Sequence, residues 1–442
     1  MGGLALAGSM NANAIPIYAR QTGQACVTCH LGGMYPQLTS YGRLFKLTGY
    51  TMGTRPNLTD LEVQKDAPPI SIWLQAGRGF TNKNNTATPP GDTQNIQAIS
   101  LFSGGKITDN IGGFLQWTGG NTGGGYNFTV DNSEIRYADR NISNGNDLIY
   151  GVYVNNHPTV SDVWNNTSNW SGIPIGAGSL MGFFNNSSAI GQVPANAFFP
   201  ATPFMDQYGP GQSEGVGAYL YKDNTWYGEA GVYKSFTHGI ATTDLTAGSG
   251  SIFIDPSPYY RLAYSKDVGA HSFEVGMHGM ISYAHNGSWG TTVNTYRDTA
   301  LDAQYQYNLD PHYIGAHARF LHESSSFAGD QVGTTAANGS NYLNEAWLDV
   351  SYVYQAKYGG TLTYRNVTGS NDLTMNPQNT ATGSPNWQAW IPEIFWTPWQ
   401  NLRVGFQYTV YTQMAGATSV IPGQTLKPSD FNTSAFYVSF IY

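Results

Sequence analysis

Cys26 and Cys29 are the only two cysteines of the chain, and His30 follows the second directly, in the stretch "ARQTGQACVTCH" from Ala19 to His30. Two thiols three residues apart with an imidazole beside them are the attachment signature of c-type haem. The thiols form thioethers to the vinyl groups and the imidazole takes the iron, all from one side of a single helical turn. Other uses of a cysteine pair fit less well. A thioredoxin-like pair needs a βαβ surround, which the pattern lacks. A zinc site needs four ligands, and no second pair exists. A disulfide between cysteines so close would close a small, strained loop.

The remainder of the chain must position this motif, and its composition is unusual. Charged residues make up 11% of the 442 positions and aromatics 14%, with 30 Tyr, 11 Trp and 53 Gly; an ordinary soluble domain carries roughly 25% charged residues. The net charge is -8 and there is no long basic run, which argues against a nucleic-acid partner. No stretch of about 18 apolar residues is present, so no transmembrane helix is expected. "LALAGSMNANA" is small and apolar and ends in Ala12-Asn13-Ala14, so residues 1–14 read as the tail of a secretory signal with cleavage after Ala14.

From about residue 70 the pattern alternates with period two. Ile70, Ile72 and Leu74 share one face, as do Tyr150, Val152 and Val154, Phe273, Val275 and Met277, and Val404, Phe406 and Tyr408. Sixteen such segments begin near residues 70, 96, 110, 128, 146, 213, 225, 258, 271, 297, 312, 343, 357, 387, 400 and 431. Their connections alternate between short turns ("KDN", "KDVGA", "NLDPH") and long polar loops, of which residues 156–212 form the largest. This parity, with the alternating aromatic ending Phe436, Val438, Phe440, Tyr442, predicts an all-β fold: a 16-stranded antiparallel outer-membrane β-barrel over residues 67–442, with apolar side chains towards lipid. Closure leaves no unpaired edge in hydrocarbon. An even number of strands puts both termini in the periplasm. Sixteen strands enclose an aqueous lumen, and alternation assigns to it Glu134, Arg136, Glu274, His278, Asp302, His317, Arg319, Glu345, Asp349, Arg365 and Arg403. Some of these carboxylates could steer a cation, or they simply form a solvated wall. His317 and His322 are at odd spacing and do not share a face.

Residues 15–66 carry the motif, and some fifty residues build a poor core alone. The expectation is a short helical haem-binding segment that plugs the lumen, with the barrel wall completing the pocket. Met/His ligation raises a haem potential. Met52 is far enough along the chain to cover the face opposite His30, whereas Met34, read as one helical turn beyond His30 on the same face, cannot cross the ring. His278, Met280 and His317 compete with Met52, and packing is the commoner fate of a methionine. Arg20, Arg43 and Lys46 give a positive cluster for the haem carboxylates, or for acidic lumen residues that hold the plug.

The segment resembles that of the fused cytochrome–porins, single-haem outer-membrane barrels of Fe(II)-oxidising bacteria. The matching pieces are Ala19-Arg20-Gln21-Thr22-Gly23, Cys26-x-x-Cys29-His30, Pro36-x-Leu38, Gly42-Arg43, Phe45-Lys46 and Gly49-Tyr50-Thr51-Met52. Beyond Met52 the likeness is one of kind only. The resemblance implies a conduit that takes electrons from Fe(II) at the cell exterior and passes them to a periplasmic carrier such as a soluble cytochrome c. Two alternatives stay open: a haem-plugged porin or transporter without iron oxidase activity, and the same conduit with another extracellular donor.

Overall fold

The computed structural model describes residues 16–33, 37–54, 57, 69–82, 98–121, 126–167, 201–207, 213–235, 251–253, 256–286, 293–376 and 381–442. The expected signal tail, Met34 and Pro36 lie outside them, as does most of 55–68, where the boundary between plug and barrel was placed.

Three short helices come first: α1 (Pro16–Thr22), α2 (Cys26–Cys29) and α3 (Ser40–Leu47). Among the described residues, eighteen strand segments follow: β1 (Ile70–Thr81), β2 (Ala98–Lys106), β3 (Ile111–Asn121), β4 (Tyr126–Val130), β5 (Glu134–Ser143), β6 (Asn146–Asn155), β7 (Ser213–Lys222), β8 (Trp226–Ser235), β9 (Ser251–Phe253), β10 (Ser257–Val268), β11 (His271–Asn286), β12 (Asn294–Leu309), β13 (His312–Ser326), β14 (Ser340–Tyr354), β15 (Tyr358–Gly369), β16 (Trp387–Trp399), β17 (Leu402–Gln413) and β18 (Thr433–Ile441). Two further helical turns, α4 (Pro158–Ser161) and α5 (Phe204–Gln207), sit between β6 and β7.

All pairings between the strands are antiparallel and run from one stave to the next, and β1 pairs with both β2 and β18, so the sheet closes. β4 and β5 both pair with β3 and form one interrupted stave. β9 and β10 both pair with β11 and form another. Eighteen segments therefore make sixteen staves, as the alternation predicts. The short turns are tight because their residues accept left-handed backbone. Asn144 and Gly145 have φ of 51° and 79°, and Asp223 and Asn224 have 54° and 50°, the hairpin geometry that matches strand twist.

The outside is apolar. Val152, Val216, Leu262, Val275, Leu301, Val350 and Phe436 are exposed, on strands whose alternate residues are buried. Trp226, Tyr264, Tyr352, Tyr358, Trp396 and Trp399 are exposed close to the short turns, an aromatic girdle of the kind that marks a membrane interface. No helix among the described residues is long and apolar enough to cross a membrane. The strands do the crossing. Both ends of the sheet meet at the short-turn mouth, where the Ile72 amide donates to the Tyr442 carbonyl at 2.7 Å.

The inside holds the expected N-terminal plug but is drier than a solvated lumen. All eleven residues assigned to it point inward, but Arg136, His278, Glu345, Asp349 and Arg365 among them are 0% exposed, as is Arg261 beside them. An open channel would leave its lining wet. Two inserts exclude water here. The N-terminal segment enters from the short-turn mouth, and residues 156–167 with 201–207 fold inward from the opposite side. They meet where Lys46 Nζ donates to the Asp162 carbonyl at 3.0 Å.

Candidate haem-attachment site

The N-terminal segment is tied to the wall on both flanks of the motif. On one flank the Ile17 amide donates to Ser71 Oγ at 3.2 Å, and Ile17 packs among Trp73, Phe102, Ala435 and Tyr437. On the other flank Leu31 is fully buried against Tyr313, Val353 and Phe395. The Cys26–Cys29 turn thus bridges the mouth between β1/β18 and β14/β16. Beneath it the Cys26 amide donates to Gln400 Oε1 at 3.3 Å.

The turn is a single helical one. The His30 amide closes it on the Cys26 carbonyl at 2.8 Å, and His30 itself is extended at φ -118°, ψ 131°. This corrects one expectation. The helix does not run on through residues 31–33, since Gly32 and Gly33 have φ of 57° and 74°; Met34 itself lies outside the described residues. Cys26 and Cys29 are free thiols, not joined to each other. Cys26 is buried while Cys29 and His30 are partly exposed, and burial pushes the Cys29 thiol up to about 11. Two free thiols and an imidazole on one turn are the donor set that covalent haem requires.

Helix α3 buttresses this turn. Thr39 caps it by accepting from the Gly42 amide at 3.2 Å, and Thr39 also binds the turn, its amide donating to the Cys29 carbonyl at 2.9 Å and its hydroxyl to the Thr28 carbonyl at 2.5 Å. At the other end Gly49 has φ 73°, its amide reaching the Lys46 carbonyl and that of Tyr50 the Phe45 carbonyl, both at 3.0 Å, a Schellman ending. A Cβ at position 42 would press into the Cys29 carbonyl. Gly42→Ala is therefore expected to lift α3 off the turn at a cost of about 1–3 kcal/mol. Limited proteolysis of the N-terminal segment should speed up and covalent haem yield should fall, while Gly329→Ala, which meets no neighbouring atom within 4 Å, should change neither.

The three cations do not form one cluster. Arg20 donates to the Ile70 carbonyl at 2.6 Å on β1. Arg43 reaches a distant part of the wall, binding Ser272 Oγ at 2.6 Å, Gln306 Oε1 at 3.1 Å and Asp267 at 3.4 Å. Lys46 points into the centre, and burial lowers its ammonium to about 8. These Arg43 contacts anchor the plug to the barrel. Met52 packs at the Phe45–Tyr50–Phe114–Val160 cluster, and its carbonyl accepts from Gln21 Nε2 at 2.9 Å. Met280 is buried in the main lumen cluster. His278 and His317 are engaged in the ionic network described next.

Sequence reasoning missed that network's other half, because it treated 156–212 as one surface loop. Arg261 Nη2 binds Asp302 at 2.7 Å and Glu274 at 2.9 Å, while its Nε lies 3.5 Å from Asp162 of the loop. His278 Nδ1 lies 3.1 Å from Asp302. Asn166 donates to both Asp302 and Glu274, at 2.8 and 3.1 Å. Burial opposes ionisation of Asp162, yet Arg261 and the amides of Trp164 and Thr167 hold its carboxyl below the usual range. Higher up, Arg319 joins loop residue Asp206 to Glu345, and Glu345 meets Arg365. His317 contacts Asp349 at 3.3 Å and Gln304. Arg136 pairs with Glu134 at 2.9 Å, and Glu134 accepts from Tyr50 of the plug at 2.7 Å. Among the described residues no group of three or more His, Cys, Asp or Glu is arranged to hold a metal ion.

No family model matches the chain, and no curated protein matches it. Solved structures that resemble it are outer-membrane proteins. The channel DcaP of Acinetobacter baumannii is 12% identical with a TM-score of 0.48, covering 84% of this chain and 96% of that one. An anion-selective porin from Comamonas acidovorans is 10% identical with a TM-score of 0.44, covering 84% and 98%. A loop-deletion form of OmpT from Vibrio cholerae is 10% identical with a TM-score of 0.43, again covering 84% and 98%. These likenesses are too distant to speak for function, and the sixteen-stave closure rests on the strand register given above.

Proposed function

We propose that the chain is an electron conduit of the bacterial outer membrane, carrying one c-type haem on Cys26, Cys29 and His30 and passing electrons from extracellular Fe(II) to a periplasmic carrier. The observation that carries this reading is the pairing of an attachment motif at one mouth with a lumen that is packed, not open. A barrel that admits solutes needs a wet bore, whereas one that carries electrons needs insulation. The short-turn mouth is the periplasmic one on this reading, so both ends of the sheet and the partly exposed Cys29 and His30 face the carrier, while lipid surrounds the apolar exterior.

The residues around the motif fit the group. Thiols at one helical spacing would hold it, His30 would take the iron, and the aromatic wall of Phe395, Tyr437 and Trp73 offers the apolar surface that a tetrapyrrole needs. When bound, the haem supplies a one-electron centre whose chemistry is its own; the protein supplies position, dielectric and access. Met52 is proposed as the distal ligand. Fe(II) as donor rests on the resemblance of Ala19–Met52 to the fused cytochrome–porins.

The test is to express the chain with haem-maturation factors and mix the oxidised protein with Fe(II) while recording haem absorption. Reduction is expected. Covalent haem that Fe(II) leaves oxidised at both acid and neutral pH sinks Fe(II) as donor. Fast solute efflux from proteoliposomes would turn the reading to a porin.

A further inference from the structure

Among the described residues, the buried arginines of the barrel wall are paired with carboxylates, with one exception. Arg136, Arg261, Arg319 and Arg365 each meet Asp or Glu. Arg403 is 6% exposed, its guanidinium lies over the Phe395 ring at 4.2 Å, and its Nη1 has no acceptor among the described residues. The groups facing it are the hydroxyl of Tyr437, which hydrogen-bonds the guanidinium and donates to the buried carboxylate of Glu393, and the row of side chains across the sheet; Nη1 remains the free donor among the described residues. Ser439 is opposite Arg403 on one side and opposite Gln75 on the other. Gln75 is 1% exposed, and neither its amide nitrogen nor its oxygen has a partner among the described residues. Ser439 accepts from Trp73 Nε1 at 2.6 Å. A buried guanidinium and a buried amide that leave donors unused in one row are costly, so the row is built for an acceptor of negative charge.

Its place in the fold says which one. Gln400, three residues before Arg403, binds the Cys26 amide. Phe395, under the guanidinium, packs on Leu31, the residue after His30. Ile17 covers Trp73 and Tyr437 from the other flank. The row is thus held by the same contacts that seat the attachment turn. We propose that Arg403, with Gln75 beside it, receives a carboxylate of the haem held by Cys26, Cys29 and His30, and so positions the ring and tunes its potential. This rests on the haem reading above. It also separates Arg403 from Arg43, whose guanidinium is engaged by the barrel wall and by Leu38 and Ser40 of its own segment. Guanidinium suits the role because it stays charged when buried and meets a carboxylate through two parallel donors.

The experiment uses the haem-loaded protein and reads the midpoint potential by spectroelectrochemical titration from pH 4 to 8. Arg403→Gln removes the positive charge and favours the oxidised, more positive haem. The expected result is a fall of about tenfold in the reduction equilibrium constant, ~59 mV for one electron, together with a steeper pH dependence as the carboxylate takes up a proton. Arg403→Lys should recover most of the shift, and Gln75→Leu should move the potential the same way by less. Full haem content with an unshifted potential and pH profile in both Arg403→Gln and Gln75→Leu overturns the inference. Should Arg403→Gln fail to fold, Gln75→Leu decides alone. Wild-type protein without covalent haem would instead overturn the reading beneath it, which the haem content of the parent reports separately.

Discussion

Cys26→Ser/Cys29→Ser is expected to give a barrel that folds and inserts like the parent but carries no covalent haem and shows no Fe(II)-dependent absorption change. The loss should be complete, because no other cysteine exists in the chain to form even one thioether. The fold should survive because the turn is held by backbone groups: His30 to Cys26, Thr39 to Cys29, and Gln400 to the Cys26 amide. Serine keeps all three. Mass spectrometry of the intact chain reads the attachment, and heat-modifiable mobility in a gel reads the barrel. His30→Ala should behave differently. It keeps both thiols, so covalent attachment should persist at reduced yield, but the iron loses its proximal ligand and the spectrum should change. Covalent haem that survives the double serine substitution would mean that the motif is not the attachment site. A double variant that also loses the barrel would give the cysteines a structural role that their surroundings do not suggest.

The barrel was legible because membrane chemistry repeats itself along the chain. Every second residue of a stave must satisfy lipid, so Val152 and Val154 announce their strand without help from distant residues, and the same alternation turned all eleven assigned polar residues inward. The attachment site was legible for a different reason, since thioether chemistry fixes its own spacing. Of the two inserts that fill the lumen, the N-terminal plug was legible and the second was not. Residues 156–167 read as a polar surface loop, rich in Asn, Thr and Ser. Their burial depends on partners far away in sequence, such as Glu274 and Asp302 for Asn166 and Tyr259 for Thr167. A local pattern cannot encode a contact made across 136 residues. Trp164 was the available hint: an indole in a polar stretch, here stacked under the Arg261 guanidinium at 5.3 Å. The interruption between β4 and β5 was equally hidden, because Asp131 alternates normally yet turns to bind Thr118 and Gln116.

That buried network makes the second large expectation. Arg261→Met should open the lumen. The arginine is the cation shared by Asp162, Glu274 and Asp302, all within 3.5 Å and all buried. Methionine fills much of the same volume, so the change is chiefly one of charge. Removing one partner of a buried ionic cluster typically costs about 3–5 kcal/mol, because the remaining charges stay desolvated without compensation. The strand carboxylates cannot leave the wall, but Asp162 can, since it sits on an insert and not on a stave. The cheapest relaxation is for residues 156–167 to swing out and let water reach Glu274 and Asp302. In planar bilayers the parent should therefore show little conductance, and Arg261→Met should show the open steps of a wide barrel. Arg140→Ala is the matching control. Its pair with Asp147 lies at the surface near a short turn, where such bridges are worth about 0–1 kcal/mol, and its conductance should equal the parent's. If Arg261→Met stays closed while remaining folded, the insert is held by its apolar contacts through Val163 and Trp164 more strongly than by charge. If the parent already conducts as a wide pore, the barrel does not insulate, and the electron-conduit reading loses the observation on which it stands.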